Sequence, residues 1–230
     1  MKNWLQLGED IALLQYPLRA FGIDFGRNVT LLRLQNGQVI IHSTAPFAPE
    51  DVATISHFGR PAWMVDVTLA HDTFAKAARS AFPDLAYLAP EGFAKASGIE
   101  TGLLLPPPPE WDGEIDVVAL GGLRLVREHA FFHRSSRTLV LGDSLFQFPA
   151  ETVGWPRFFV QRVMGLPRLV GISRFFRFMV RDRTLFARSL ENLLELDFEQ
   201  IVMAHRVPIL LEAKSILRRA LRDTGLTASD

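Results

Sequence analysis

FFHRSSRTLVLGDSLF, residues Phe131–Phe146, is the stretch that decides the fold. It reads as strand, polar turn, strand. His133 closes a short apolar strand, Arg134-Ser135-Ser136 makes the turn, and Arg137–Leu141 forms a second strand that runs straight into Gly142-Asp143-Ser144. A potential ligand stands at each end of this unit, and the turn is expected to bring His133 and Asp143 to one small volume. Imidazole with carboxylate suits a divalent metal such as zinc. An ordinary hairpin with a surface histidine and a turn aspartate would carry the same residues, so the rest of the chain has to separate the two.

Outward from this unit, the N-terminal side alternates strands and helices. Val29–Leu34 and Gln38–Ser43 flank Asn36-Gly37, a strong hairpin signal. Pro49–Phe58 reads as a helix, with Glu50 and Asp51 at its electropositive end. Ala62–Val67 reads as a strand leading to Asp66-Val67-Thr68-Leu69-Ala70-His71. Phe74, Ala77, Ala78 and Ala81 then mark one helical face, Pro83 stops it, and Leu85–Ala89 is a short strand. The order is that of a βαβ unit with His71 at the mouth of the helix. Pro106–Pro109 excludes helix or central strand, so residues 98–113 read as an extended crossover between halves of one domain. Ile115–Leu120 and Leu123–Arg127 read as strands around Gly121-Gly122. Beyond Pro149, helices broken near Pro167 and Gly171 form a segment at about 150–190. A clean amphipathic helix through Phe186, Leu190, Leu193 and Leu194 follows, then a strand over Ile201–Ala204 ending at His205. A last helix uses Leu210, Ala213, Leu217, Ala220 and Leu221, with Gly225 as its C-cap.

Composition sets outer limits. Of 230 residues, 48% are hydrophobic and 22% charged, which is the composition of a globular chain. The 25 basic and 25 acidic side chains cancel, so no global field draws nucleic acid. Cysteine is absent, and any metal must be held by His, Asp or Glu. Glu9 and Asp10 interrupt any signal-peptide pattern, no apolar run is long enough to span a bilayer, and a cytoplasmic location is expected.

His71, His133 and His205 share one context: each follows an apolar strand and enters a loop, as Asp143 does. Strand ends on one sheet edge are where binding residues collect. His42, His57 and His129 lack such neighbours and read as ordinary residues. Ser135 and Ser136 beside His133 do not make a nucleophilic serine site, because adjacent turn residues rarely aim at one point and no acid is placed to orient the ring.

The order strand–His71–helix, His133, Gly142-Asp143-Ser144-Leu145-Phe146, Val202-Met203-Ala204-His205 resembles the metallo-β-lactamase superfamily from about residue 29 to about residue 221. A histidine, Ser136-Arg137-Thr138 and an aspartate in this order are similar to an uncharacterised branch of it. The resemblance implies an α+β fold, a four-layer αββα sandwich of two mixed sheets, in one domain with a helical insertion at 150–190. Laid on the family's HxHxDH motif, this chain has Asp66, Thr68, Ala70 and His71. The resemblance therefore implies a reduced, mononuclear site. His71, Asp143 and His205 would hold the metal, His133 would be a fourth ligand or a hydrogen-bonding neighbour, and Asp66, His133 and Asp143 would carry catalytic roles. Zinc is the first expectation, with iron or manganese as alternatives. The implied activity is water-activated hydrolysis of a small, unidentified substrate.

Residues 157–188 carry eight arginines and one acid, Asp182, interleaved with phenylalanines. They suit an amphipathic cover with arginines in solvent, an anion-binding mouth using Arg174 and Arg177, or contact with a membrane surface or protein partner. Arg137 either braces its hairpin, pairs with Asp143, or joins these two in holding an anionic substrate. Two other classes of function stay open: a non-catalytic, metal-free binding or scaffold protein, and a peripheral membrane or partner-binding module.

Overall fold

The computed structural model describes residues 3–225. Seven strands form the first sheet, in an order that follows the chain: β1 (Asn3–Gln6), β2 (Ile11–Tyr16), β3 (Arg27–Arg33), β4 (Gln38–His42), β5 (Arg60–Val65), β6 (Ala86–Ala89) and β7 (Gly102–Leu103). The pairs from β1 to β4 are antiparallel, and those from β4 to β7 are parallel. Four more strands make the second sheet: β8 (Ile115–Ala119), β9 (His129–His133), β10 (Thr138–Leu141) and β11 (Gln200–Met203). Its pairs are antiparallel except β10 with β11. The proline run lies between β7 and β8, where the chain passes from one sheet to the other.

Period-2 alternation sorts the side chains into layers. In the first sheet Ile11, Leu13, Leu32, Ile40, Trp63 and Val65 face Phe131, Val140 and Val202 of the second, and together they form the central core. The intervening residues Ala12, Leu14, Leu31, Ile41 and Met64 face outward onto Ile55 of α1 (Pro49–Phe58), Ala75 and Ala78 of α2 (Ala75–Ala81) and Phe93 of α3 (Phe93–Ser97). On the other side, Ala130, Phe132, Leu139, Leu141, Ile201 and Met203 meet the later helices. Helices therefore cover both outer faces of two mixed sheets, the αββα sandwich.

The segment after Pro149 holds α4 (Gly154–Phe158), which runs into a π-turn over Phe159–Val163, then α5 (Arg174–Met179) and α6 (Arg183–Glu195). Between α4 and α5 the chain pairs Val170–Gly171 with Phe146–Gln147. Asp182 caps α6 by accepting from Leu185 N at 2.9 Å, and Phe186, Leu190, Leu193 and Leu194 are its buried face. The last helix, α7 (Ala213–Thr224), starts later than its periodicity suggests. Leu210 and Leu211 lie before it and are exposed, and Gly225 closes it at φ 63°.

One expected strand does not form. Leu123–Arg127 turns away from the sheet after Gly122, where a Cβ would meet Asp182 O at 2.2 Å. Leu123 instead bridges Val180, and Arg124 donates to Phe178 O. The backbone bonds that would have built a hairpin are used to hold α5 and α6.

Candidate metal centre

Three loops leaving strand ends bring His71, Asp143 and His205 together, with their ligand atoms all within 4.8 Å of one another. His71 sits on the 3-10 turn Leu69–Phe74, which Thr68 caps by accepting from Ala70 N. Asp143 follows β10, and His205 follows β11, its parallel neighbour. His71 Nε2 lies 3.2 Å and His205 Nε2 3.1 Å from the same oxygen, Asp143 Oδ1. His71 is 2% exposed, whereas the Asp143 side chain keeps 23% of its surface, so the group opens to solvent through the carboxylate.

Hydrogen bonding around His205 fixes its chemistry. Its Nδ1 donates to Gly26 O at 2.6 Å. A neutral ring with the proton there has a lone pair on Nε2, facing a carboxylate oxygen at 3.1 Å. Two lone pairs at that distance require a proton or a cation between them. Two imidazoles and one carboxylate are also a donor set for a divalent ion with an open position, and the carbonyl behind His205 is the usual orienting partner of a ligating ring. The residues present thus fit a metal. His71 Nδ1 is buried without a partner. Phe146 stacks on the His205 ring at 5.8 Å and Phe25 meets it edge-on at 6.4 Å, so the centre has apolar walls.

Burial shapes the charges. It pushes His71 down to about 4, helped by the Arg27 guanidinium, so this ring is neutral near pH 7. Burial pushes the Asp143 carboxyl up, but the His71 and His205 rings outweigh it and hold the group well below the usual carboxylate range. Asp66 is fully buried at the end of β5, accepts from Thr44 Oγ1 and Tyr87 Oη, and is pushed up to about 6 by burial against the opposing pull of Arg27. Arg27 is itself 1% exposed, donates to Ser43 Oγ at 3.0 Å, and lies over the Phe74 ring. It is a positive charge beside the His71–Asp143–His205 cluster, balanced by Asp66 and Asp143.

Other expected residues lie elsewhere. His133 does not share a volume with Asp143. The antiparallel register pairs it with Thr138 beside the turn, whereas Asp143 follows the far end of β10. The His133 ring is fully buried and contacts Arg33 O and Ser136 Oγ. Arg137 does not reach Asp143 either. Its guanidinium pairs with Asp197 and Glu199 on the surface. Arg174 and Arg177 line a cavity against α7 whose lining contains none of the three clustered residues.

Sequence reasoning missed Glu128. Fully buried, it accepts from Gly142 N, Asp143 N, Ser144 N and Ser144 Oγ at 3.1, 2.9, 3.2 and 2.6 Å, and so holds the loop that presents Asp143. Burial and the neighbouring Asp143 charge push it up to about 7 against these donors. Extending the Phe131–Val140 pairing by three residues on each strand places Glu128 opposite Asp143, a relation that becomes visible only once the register is known. Arg27 and Gly26 gave no signal either, because their role depends on how the two sheets meet.

No family model matches the chain, and no curated protein matches its sequence. Solved structures do match. A metallo-beta-lactamase from Hirschia baltica superposes with a TM-score of 0.67 at 11% identity, over 97% of both chains. The DIM-1 metallo-beta-lactamase gives 0.64 at 16% identity, also over 97% of both. A metallo-beta-lactamase from Erythrobacter litoralis in a mono-zinc form gives 0.65 at 14% identity, over 97% of this chain and 96% of that one. Layer order, sheet composition and these superpositions agree: the chain has the metallo-β-lactamase fold.

Proposed function

We propose that this protein is a metal-dependent hydrolase whose centre holds one divalent cation, zinc first, on His71, Asp143 and His205. The contact of His205 carries the reading: its Nδ1 donates to Gly26 O while its Nε2 faces Asp143 Oδ1, an arrangement that a shared cation satisfies. When bound, such an ion supplies Lewis acidity, polarising a carbonyl or phosphoryl oxygen and acidifying water. His71, neutral near pH 7, contributes a donor nitrogen without competing protonation. Glu128 fixes the loop carrying Asp143. Phe146 and Phe25 shield His205 from bulk water and strengthen the local electrostatics.

A second reading, a metal-binding protein without turnover, has one observation in its favour. Ala70 offers no carboxylate at the centre, and Asp66 is sealed beneath it by Thr44 and Tyr87, a place that suits balancing Arg27 better than handling water.

The test is metal content by elemental analysis of protein purified without chelator, beside a His71→Ala/His205→Ala double variant. Near-stoichiometric zinc, iron or manganese that the variant loses supports the centre, and ester, thioester and phosphodiester turnover then separates the two readings. A wild-type chain that carries no metal and takes none up on reconstitution sinks both.

A further inference from the structure

A second polar site lies away from the metal triad. Arg162, Arg168, Arg174 and Arg177 line one cavity of about 520 Å³ between the insertion and α7, against a single acidic lining residue, Asp223. That aspartate is paired with Arg168 at 2.5 Å. Among the described residues no carboxylate pairs with Arg162, Arg174 or Arg177. The cluster is held together by the backbone: Arg174 N donates to Met164 O, and its guanidinium donates to Arg162 O at 2.6 Å. Arg177 Nε is a buried donor without a partner. The electronegative end of α7 does not balance these charges, because Arg183 already donates to Thr224 O and Gly225 O.

Crowding like charges around a cavity costs free energy unless something neutralises them. Guanidinium groups match the geometry of phosphate oxygens, which accept paired N–H bonds. We infer that this cavity binds a phosphate-bearing anion, with Arg162, Arg174 and Arg177 as its donors and Arg168 held in reserve by Asp223. The volume leaves room for a phosphate group and for a moiety attached to it. This site is separate from the metal centre and does not depend on it.

The neighbouring surface bears on the source of the anion. Trp155 and Phe158 of α4 are 53% and 52% exposed and stack on each other at 5.7 Å. Phe21, 70% exposed, is fixed beside them, since its carbonyl accepts from Trp155 Nε1 at 2.9 Å and its ring stacks on Phe159. Exposed aromatics beside arginines suit the interface of an anionic bilayer, and a soluble phosphorylated molecule would use the same donors.

The experiment measures calorimetric binding of inorganic phosphate and glycerol phosphate, and cosedimentation with phosphatidylcholine vesicles with and without phosphatidylglycerol. Wild-type protein, Arg174→Ala/Arg177→Ala, the single Arg162→Ala and the control Arg181→Ala are compared, with thermal unfolding to verify folding. Binding by the wild type that falls about tenfold or more in the double variant, falls in Arg162→Ala and persists in Arg181→Ala is the expected result. Binding confined to soluble phosphates identifies a free ligand. Binding confined to phosphatidylglycerol vesicles, reduced by Trp155→Ser/Phe158→Ser, identifies a lipid headgroup. The inference is overturned by a wild type that binds none of these probes, or by arginine variants that bind as it does. Should the double variant not fold, Arg162→Ala, at an exposed position, decides alone.

Discussion

Replacing Glu128 tests the assembly of the centre without reference to any metal. Its two carboxylate oxygens take four hydrogen bonds: Oε1 from Gly142 N, Ser144 N and Ser144 Oγ, and Oε2 from Asp143 N. Glu128→Ala leaves three backbone donors and a hydroxyl unsatisfied in a buried loop. One such group costs about 1–3 kcal/mol. The loop relaxes and the losses are not additive, so the expected destabilisation is roughly 3–5 kcal/mol, a large part of a typical total stability of about 5–15 kcal/mol. Glu128→Gln keeps the oxygen facing three donors and turns its NH₂ toward Asp143 N–H. It forfeits one bond and sets two donors against each other, while relieving the repulsion between the two carboxyls. About 1–3 kcal/mol is expected. Urea unfolding followed by circular dichroism gives both numbers. An Ala variant within about 0.5 kcal/mol of wild type, the range of ordinary surface substitutions, would refute the view that Glu128 holds this loop.

Other expectations follow from the same geometry. Arg27→Met leaves Asp66 buried without its counter-charge and is expected to cost about 3–5 kcal/mol; adding Asp66→Asn should recover much of it, and a double-mutant cycle in urea that shows no coupling contradicts the pairing. His133 is neutral in the fold, burial having pushed it from 6.5 to about 4, so its unfolded form takes up protons first as the pH drops. Stability is therefore fully present above about 6.5 and is lost as the pH falls toward 4, by up to about 3 kcal/mol, and unfolding curves of His133→Gln should show a shallower acid slope. For the metal centre, ion present at about a thousandfold its dissociation constant adds about 4 kcal/mol. Chelation should then lower the melting temperature by roughly 8–16 °C for a chain of this size, a shift that calorimetry should not find in His71→Ala/His205→Ala.

Much of the sandwich was legible because strands covered on both faces read as short, nearly continuous apolar runs, as in Ile11–Leu14 and Leu31–Leu34. His71, Asp143 and His205 were legible for a related reason: each ends an apolar strand, and β10 and β11 are parallel neighbours that deliver their last residues to the same edge. His133 looked equivalent in sequence, yet an antiparallel strand delivers its last residue to the opposite edge. Strand direction, which one-dimensional pattern does not carry, made the difference. Leu123–Arg127 has the composition of a strand, but its turn at Gly122 packs against the backbone of Asp182, a contact no local propensity reports. Arg27 stayed hidden because a charged residue at a strand start reads as exposed until the turn that carries Phe74 packs over it.

The bond from His205 to Gly26 spans 179 residues, and Asn28 adds two more, to Met203 O and Arg206 O. On the ribosome, His71 and Asp143 emerge long before His205 is made. The nascent chain can shape most of both sheets yet cannot complete the cluster, and contacts this distant in sequence are among the last to form. On the proposed metal reading, acquisition of an ion would be timed to the end of synthesis: a chain stalled before residue 205 carries only two of the three clustered residues, His71 and Asp143.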